Sequence, residues 1–469
     1  MEYSTILHSK AAAGNMDVVL HAAQDLQHAV TKEKKETGTA LNAATPERSA
    51  RTILSSASFE SGPLLWVHKT LCCGGIERQL SVTAQEFCRL GMDDVHLLCT
   101  SLEPQRGHDF FLPSVQAALH RIHLLHALPE SVINELLPLA LRRIEQIDRF
   151  TQGELSELIL FTLWMLHLRP KCVHVWLGDI PLPALAACMA GVPRVILSGQ
   201  SLSPRRRTPF GLEGPDVKKT LRTYSVLRKY PAFHMTNNSR AGREDYADWL
   251  DYPAEKITIF TNAMPLPAIN NIDKTALRHD LGLAPDAKII AGAFRFVSIK
   301  NPQLWIAAAQ RTLAQIEDAV AVLWGDGPLL AECRSMVDQS GWSDRILLPG
   351  KAADGISALS ISDVVLLSST IEGLPNVLLE AQSLGIPVVA TQVGGVADAF
   401  VHERSGWLVA RRTPEALAER LVWVLRNPEW AKQARQDAIA HVSEHFSLQH
   451  TMTALQSLYY DAYAPCVNI

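Results

Sequence analysis

No C-x-x-C pair occurs among the eight cysteines, and two of them, Cys72 and Cys73, are adjacent. That spacing excludes a zinc site and a disulfide framework and predicts reduced thiols in a cytosolic protein. Long apolar runs are missing as well. The most apolar stretches, LILFTLWML at 158–166 and PLPALAACMAGV at 181–192, fall short of the roughly 20 residues that a membrane span needs, so both are expected as buried helices. Nor is there an excess of one charge: 44 Lys plus Arg face 48 Asp plus Glu, a formal charge of -4. Bulk binding to nucleic acid is thereby excluded, and any anion recognition has to be local. The start, MEYSTILHSKAAAGNMDVVLHAAQDL, has neither the charged opening nor the continuous apolar core of a signal peptide, so secretion is not expected. What is present is a globular composition, 47% hydrophobic and 20% charged over 469 residues, enough for two or three domains.

Residues 1–61 stand apart. A helix near 11–30 leads into TKEKKETGTALNAATPERSAR, which is polar, mixed in charge and poor in large apolar groups, the composition of a flexible linker. Further on the texture changes. PLLWVHKT reads as a buried strand, CCGG as a tight turn, IERQLSVTAQEFCRLG as a helix ending at Gly91, and VHLLCT as a second strand. The unit recurs as VHVWLGD (173–179), a helix to Gly191 and VPRVILSG (192–199), then as AFHMTNNS, a helix and KITIFTNA. After a proline-bearing link near 265–270 come KIIAGAFRFV, AVAVLWGDG, RILLPG, DVVLLSS and PVVATQ. This alternation predicts an α/β protein with two doubly wound parallel sheets, over 62–266 and 267–440, followed by a terminal segment 441–469. In such folds ligands sit beyond the carboxyl ends of the strands, and two facing domains place that site in a cleft.

The block IEGLPNVLLEAQSLGIPVVATQVGG (371–395) sets Glu372 and Glu380 eight positions apart. Glu372 falls on the loop after the DVVLLSS strand, and Glu380 on a helix that Pro375 and Asn376 suit as a start. The backbone amides of Gly373 to Asn376, with the helix dipole, favour a phosphate or a sugar oxygen. Eight helical residues span about 12 Å, against the roughly 5 to 9.5 Å between the carboxylates of a glycosidase. The spacing fits one extended ligand gripped at two places, such as a nucleotide sugar; the alternative is a solvated helix residue and a loop charge. Upstream, RFVSIKNP holds Arg295 and Lys300 five apart at a strand end, where two cations can face a diphosphate or simply line a solvated loop. WGDGP carries Gly325 and Gly327, which either permit close approach to a ligand or form an ordinary turn. Gly394 and Gly395 mark another strand end.

Taken in order with CCGGIERQL and NNSRAGREDYADWLDYPAEKITIFTNAM, these motifs make the chain from about 63 to 460 resemble family 4 of the retaining glycosyltransferases. The resemblance implies the GT-B fold, two Rossmann-like domains facing across a cleft, and roles for matching positions. Arg295 and Lys300 would bind the donor diphosphate and stabilise its charge as the glycosidic bond breaks, and Glu380 would accept hydrogen bonds from the ribose. Glu372 would orient the transferred sugar with the Gly373 and Leu374 amides, in catalysis beside Arg295 and Lys300. Gly75 would approach the phosphate, Gly325 would lie in the glycine turn beside the donor, and Gly350 and Lys351 would lie near the base. The donor implied is a UDP-sugar, used as substrate. Same-face attack, with the leaving phosphate helping to take the acceptor proton, requires no metal, and no Asp-x-Asp motif or cofactor signature occurs. The segment HFSLQHTMTALQSLYYDAYA would be a helix crossing back onto the N-terminal domain.

One position departs from the family. Many relatives carry a histidine after the strand matching VPRVILSG, whereas this chain reads ILSGQSLSP, with Ser198, Gly199 and Gln200 there and Gln200 or Ser201 as the substitute hydrogen-bonding group. His174 is either a second candidate or a structural histidine. A local basic patch, Arg205, Arg206, Arg207, Lys218, Lys219, Arg222, Arg228 and Lys229, stands against only Glu213 and Asp216. It suits anionic headgroups on the inner face of the cytoplasmic membrane, at about 1 kcal/mol per basic residue, or a solvated loop and helix face. The leading expectation is a transferase that passes a sugar to a glycan or lipid-linked acceptor in bacterial polysaccharide assembly. The alternatives are a non-catalytic GT-B subunit that binds partners, and a sugar-nucleotide epimerase.

Overall fold

A computed structural model describes residues 17–25, 27, 61–144, 150–207, 215–265, 273–352 and 354–460. The expected arm over 1–61, most of the link near 265–270 and the end of the terminal segment lie outside the described residues, although 17–25 is helical. The described residues group into two compact units. One draws on Met1–Gln200, Thr208–Thr236 and Ala247–Thr258, the other on Ser201–Arg207, Asn237–Tyr246 and Ile259–Ile469.

The seven-stranded sheet is formed by β1 (Leu64–His68), β2 (Val95–Cys99), β3 (Arg121–Leu124), β4 (Cys172–Val175), β5 (Val195–Gly199), β6 (Phe233–Asn237) and β7 (Ile257–Ile259). Its order is β3-β2-β1-β4-β5-β6-β7. β1 lies between two parallel neighbours, with Leu64 opposite both Val95 and Cys172. All five β1 residues are buried, as an unbroken apolar run on a sheet covered on both faces requires. The strand feeds helix α1 (Gly75–Arg89). Helix α2 (Gln152–Leu168) starts at a capping box in which Thr151 and Glu154 exchange side-chain hydrogen bonds with each other's backbone N–H. The LILFTLWML run lies inside it, almost wholly buried, and the second apolar run forms α3 (Leu182–Ala190), ended by Gly191 at φ +91°. Among the described residues no helix is long and apolar enough to cross a membrane. Helices α4 (Pro215–Leu227) and α5 (Arg240–Leu250) flank β6 in the chain.

The six-stranded sheet comprises β8 (Lys288–Ala293), β9 (Ala319–Trp324), β10 (Ile346–Gly350), β11 (Val364–Leu367), β12 (Val388–Thr391) and β13 (Gly406–Val409), in the order β10-β9-β8-β11-β12-β13 and parallel throughout. Helix α6 (Pro302–Leu313) packs against it through Trp305, whose Nε1 donates to the Leu366 carbonyl at 3.0 Å. Gly292 leaves the room: a Cβ there would lie 2.7 Å from that nitrogen. Successive connections run one way from β8 through β9 to β10 and the other way from β11 outward. The reversal opens a crevice at the carboxyl ends of β8 and β11, where open α/β sheets bind ligands. Helix α7 (Asn376–Ser383) follows β11. β3 and β13, absent from the sequence-based reading, are both edge strands. β3 is exposed or half-buried along its length and β13 begins with glycine, so neither shows the apolar run of a central strand.

Candidate active site

Nine of the ten residues singled out from sequence belong to the second unit, at or after the carboxyl ends of β8 to β11. β8 runs out into Phe294–Lys300, and β11 into Ser368–Glu372, so the two sides of the reversal carry the cations and the carboxylate respectively. They meet: Lys300 Nζ donates to Glu372 Oε1 at 2.5 Å. Ser369 Oγ donates to the same oxygen at 2.6 Å. Glu372 is 7% exposed, so its charge is stabilised by these two donors rather than by bulk water. Arg295 is exposed and makes no ion pair with the described residues, which leaves its guanidinium available to an anion. Glu380 is 4% exposed, on α7.

The glycines do something other than admit a ligand. A Cβ on Gly325 would sit 1.9 Å from the Phe294 carbonyl oxygen, and one on Gly327 2.7 Å from that of Phe296; their φ angles are +142° and +149°. Phe294 N donates to Trp324 O, Phe296 N to Asp326 O and Leu329 N to Phe296 O. The glycine turn is therefore pressed against the backbone on both sides of Arg295, and the close approach expected toward a ligand is, for these two residues, an approach to protein. Gly325 N in turn donates to Gly350 O at 2.8 Å. Gly350 takes φ +93°, and the exposed Lys351 follows it.

The loop from Glu372 to Asn376 is packed in the same way. A Cβ on Gly394 would lie 2.0 Å from the Glu372 carbonyl oxygen, and one on Gly395 2.5 Å from that of Gly373. Gly373 and Leu374 are buried. Helix α7 begins with Pro375 as its N-cap, a residue with no side-chain acceptor, so its first N–H groups are not capped by their own sequence. Two positions here escaped the sequence reading, Ser369 on Glu372 and Asn262, which donates to the Leu374 carbonyl. The hydroxyl pair at the end of DVVLLSS was a visible signal for Ser369. Asn262 falls within the TNAM motif, but nothing local marks its role, because its partner lies more than a hundred positions away.

The remaining residue, Gly75, opens α1 in the first unit, after Gly74 at the N-cap. A Cβ on Gly74 would meet Glu77 Oε2 at 2.2 Å. Glu77 is buried, which opposes ionisation, yet His68 Nε2 at 3.2 Å and a hydrogen bond from Cys72 Sγ at 3.1 Å hold its carboxyl below the usual range. His174 takes the structural role: it is 1% exposed, lies 2.7 Å from Ser198 Oγ, stacks on Trp176 and is pushed down to about 3 by burial. Part of the expected basic patch is engaged by other residues of the protein. Arg205 and Arg206 both pair with Asp245, Arg222 pairs with Glu154, and Arg228 donates to the carbonyls of Leu250 and Asp251. Residues 208–214 of the patch lie outside the described residues. Among the described residues no group of three His, Cys, Asp or Glu is placed to hold a metal ion.

Residues 273–441, which carry Arg295, Lys300 and both glutamates, match the family described as Glycosyl transferases group 1. Across more of its length the chain is similar to the Vi polysaccharide biosynthesis protein VipC/TviE of Salmonella typhi, 32% identical over 423 residues, 81% of this chain and 68% of that protein. The chain belongs to the group 1 glycosyl transferases. It is a glycosyltransferase of this group also similar to the N-acetyl-alpha-D-glucosaminyl L-malate synthase of Bacillus anthracis, 29% identical over 189 residues, 40% of this chain and 49% of that enzyme. Among solved structures, Anabaena Alr3699/HepE in complex with UDP and glucose superposes with a TM-score of 0.65 at 18% identity, covering 85% of this chain and 99% of that one. That likeness shows the fold, and the two Rossmann-like units of this group 1 transferase are those of GT-B proteins.

Proposed function

We propose that this group 1 glycosyltransferase moves a sugar with retention from a UDP-linked donor to a glycan or lipid-linked acceptor in polysaccharide assembly. The observation that carries the reading is the Lys300–Glu372 pair at the β8/β11 reversal, beside an Arg295 that has no carboxylate of its own among the described residues. A diphosphate placed there gains two cations, and its charge competes with a single carboxylate for the Lys300 ammonium. Glu372 is then free to accept hydrogen bonds from the hydroxyls of the transferred sugar, next to the Gly373 and Leu374 amides. Glu380 accepts from the ribose diol. As the bond between the anomeric carbon and the phosphate oxygen breaks, Arg295 and Lys300 stabilise the charge that collects on the diphosphate. The acceptor oxygen bonds to the same face of the sugar, and its proton passes to the departing phosphate.

Support for the donor and the pathway comes from the relatives, one named for polysaccharide biosynthesis and one solved with UDP and glucose. The test is calorimetric titration of UDP, GDP and ADP into wild type, Lys300→Ala and Glu380→Ala. The expected result is micromolar binding of UDP that weakens at least tenfold in both variants, about 1.4 kcal/mol. No nucleotide binding by folded wild type would overturn the donor site in favour of a non-catalytic partner.

A further inference from the structure

The motifs NNSRAG and TNAM lie outside the matched family segment, and the structure turns both toward the loops that carry Glu372. Asn262, 6% exposed, donates from Nδ2 to the Leu374 carbonyl at 3.0 Å and to Asn376 Oδ1 at 2.7 Å. Both hydrogens of its amide are thus committed. Its other end is fixed by Asn238, 2% exposed, whose Nδ2 donates to Asn262 Oδ1 at 3.4 Å. A flipped Asn262 would set its oxygen against the Leu374 carbonyl, which cannot donate, and this favours the orientation in which Nδ2 faces Leu374. Nearby, Ser239 packs where a Cβ on Gly395 would meet its own Cβ at 2.5 Å. Arg240 donates from its backbone N and from Nε to Asp398, at 2.7 and 2.8 Å. Residues 238–240 and 262 therefore back the loops after β11 and β12 at several points, all inside the second unit.

We infer that Asn262, held by Asn238, is a positioning residue for the donor loop. Glu372 is held by Lys300 and Ser369 and the loop backs onto Gly394 and Gly395, but its far end, at Leu374 and Asn376, is held by Asn262. The loop connects a strand to a helix whose N-cap, Pro375, contributes no side-chain hydrogen bond, and its glycine, Gly373, adds no side-chain packing of its own. The clamp on the Leu374 carbonyl and on Asn376 holds the chain immediately before and at the first turn of α7. That fixes which way the Gly373 and Leu374 N–H groups face and where Glu372 meets Lys300. Asn262 touches no substrate in this account; it acts through the loop. The inference rests on the donor-site reading above.

The experiment uses the full chain as wild type, Asn262→Ala, Asn262→Asp and Lys300→Ala, with UDP titrated by calorimetry well below each melting temperature. Asn262→Asp keeps the shape and the acceptor for Asn238, and loses the donor to Leu374. Hydrogen exchange of the 373–378 amides is read on the same samples. The expected result is UDP binding at least fivefold weaker in both Asn262 variants, with exchange faster over 373–378. A merely stabilising residue would lower the melting temperature and leave the affinity of folded protein unchanged. Wild-type affinity and exchange in Asn262→Ala and Asn262→Asp, with a tenfold loss in Lys300→Ala, would overturn the inference and leave the donor site standing. Wild-type affinity in Lys300→Ala as well would overturn both. If Asn262→Ala does not fold, Asn376→Ala removes the other end of the clamp and is expected to weaken UDP in the same direction; unchanged binding there also counts against the clamp.

Discussion

Lys300 and Glu372, 72 positions apart in the chain, share one short hydrogen bond at the point where the second sheet reverses its strand order. The side chains are 21% and 9% exposed, so the pair is largely withdrawn from water. Removing one partner leaves a poorly solvated charge, whereas removing both does not.

A double-mutant cycle is therefore expected to show coupling. Lys300→Ala and Glu372→Ala should each destabilise the protein, by about 1 to 3 kcal/mol given partial exposure, and the double variant should lose less than the sum. Urea denaturation of the four proteins measures this, and strict additivity would contradict the pairing.

Gly325→Ala should damage the site by moving the backbone around Arg295, because the added methyl meets the Phe294 carbonyl at 1.9 Å in a conformation with φ +142°. The expected cost is about 2 kcal/mol or more, with strain and overpacking acting together. UDP affinity should fall with it. Unchanged stability together with unchanged affinity would show that the turn relaxes freely.

Acid should weaken the first unit through a histidine pair at its sheet edge. Arg121 donates to His96 Nε2 at 2.9 Å, so His96 carries its proton on Nδ1, 3.0 Å from His123 Nε2, which accepts. The chain of bonds requires both rings neutral. Burial pushes His123 down to about 4, helped by repulsion from His96 and His167 whenever they protonate and by the Arg121 charge, and burial with Arg121 also lowers His96. With folded pKa values below the unfolded value near 6.5, the unfolded chain binds more protons as pH falls. The stability contribution is intact above about pH 6.5 and is lost progressively toward pH 4. Denaturation midpoints at pH 7.5 and 5 should differ by less in His123→Phe than in wild type, and an equal difference would assign the loss to other groups.

Arg222 is expected to act as a structural residue. Its guanidinium meets Glu154, whose side chain is 2% exposed and also closes the capping box of α2. Burial opposes the charge on Glu154, and the Thr151 and Arg222 hydrogen bonds hold it ionised. Arg222→Gln should cost about 1 to 3 kcal/mol and leave sedimentation with anionic vesicles at its wild-type level. A drop in vesicle binding at unchanged stability would restore Arg222 to a membrane-facing role.

Much of this architecture could be read in advance because it depends on short-range pattern. Unbroken apolar runs such as LLWVH and DVVLLSS mark strands buried on both faces, and the helices between them require a parallel sheet twice over. The same logic put Arg295, Lys300 and Glu372 at strand ends. The edge strands β3 and β13 escaped because an edge does not demand a continuous apolar run.

What the sequence determined by itself was therefore the class of fold, the order of its elements and the ends of strands where charged residues collect. Tertiary structure alone decided their pairing. Whether Lys300 meets Glu372, whether Gly325 makes room for a ligand or for Phe294, whether an arginine in a basic stretch is free or joined to Asp245 or Glu154, and which asparagine holds Leu374 all depend on contacts between distant segments. Such contacts are set by how helices and sheets pack, through distances and burial that no local window of residues encodes.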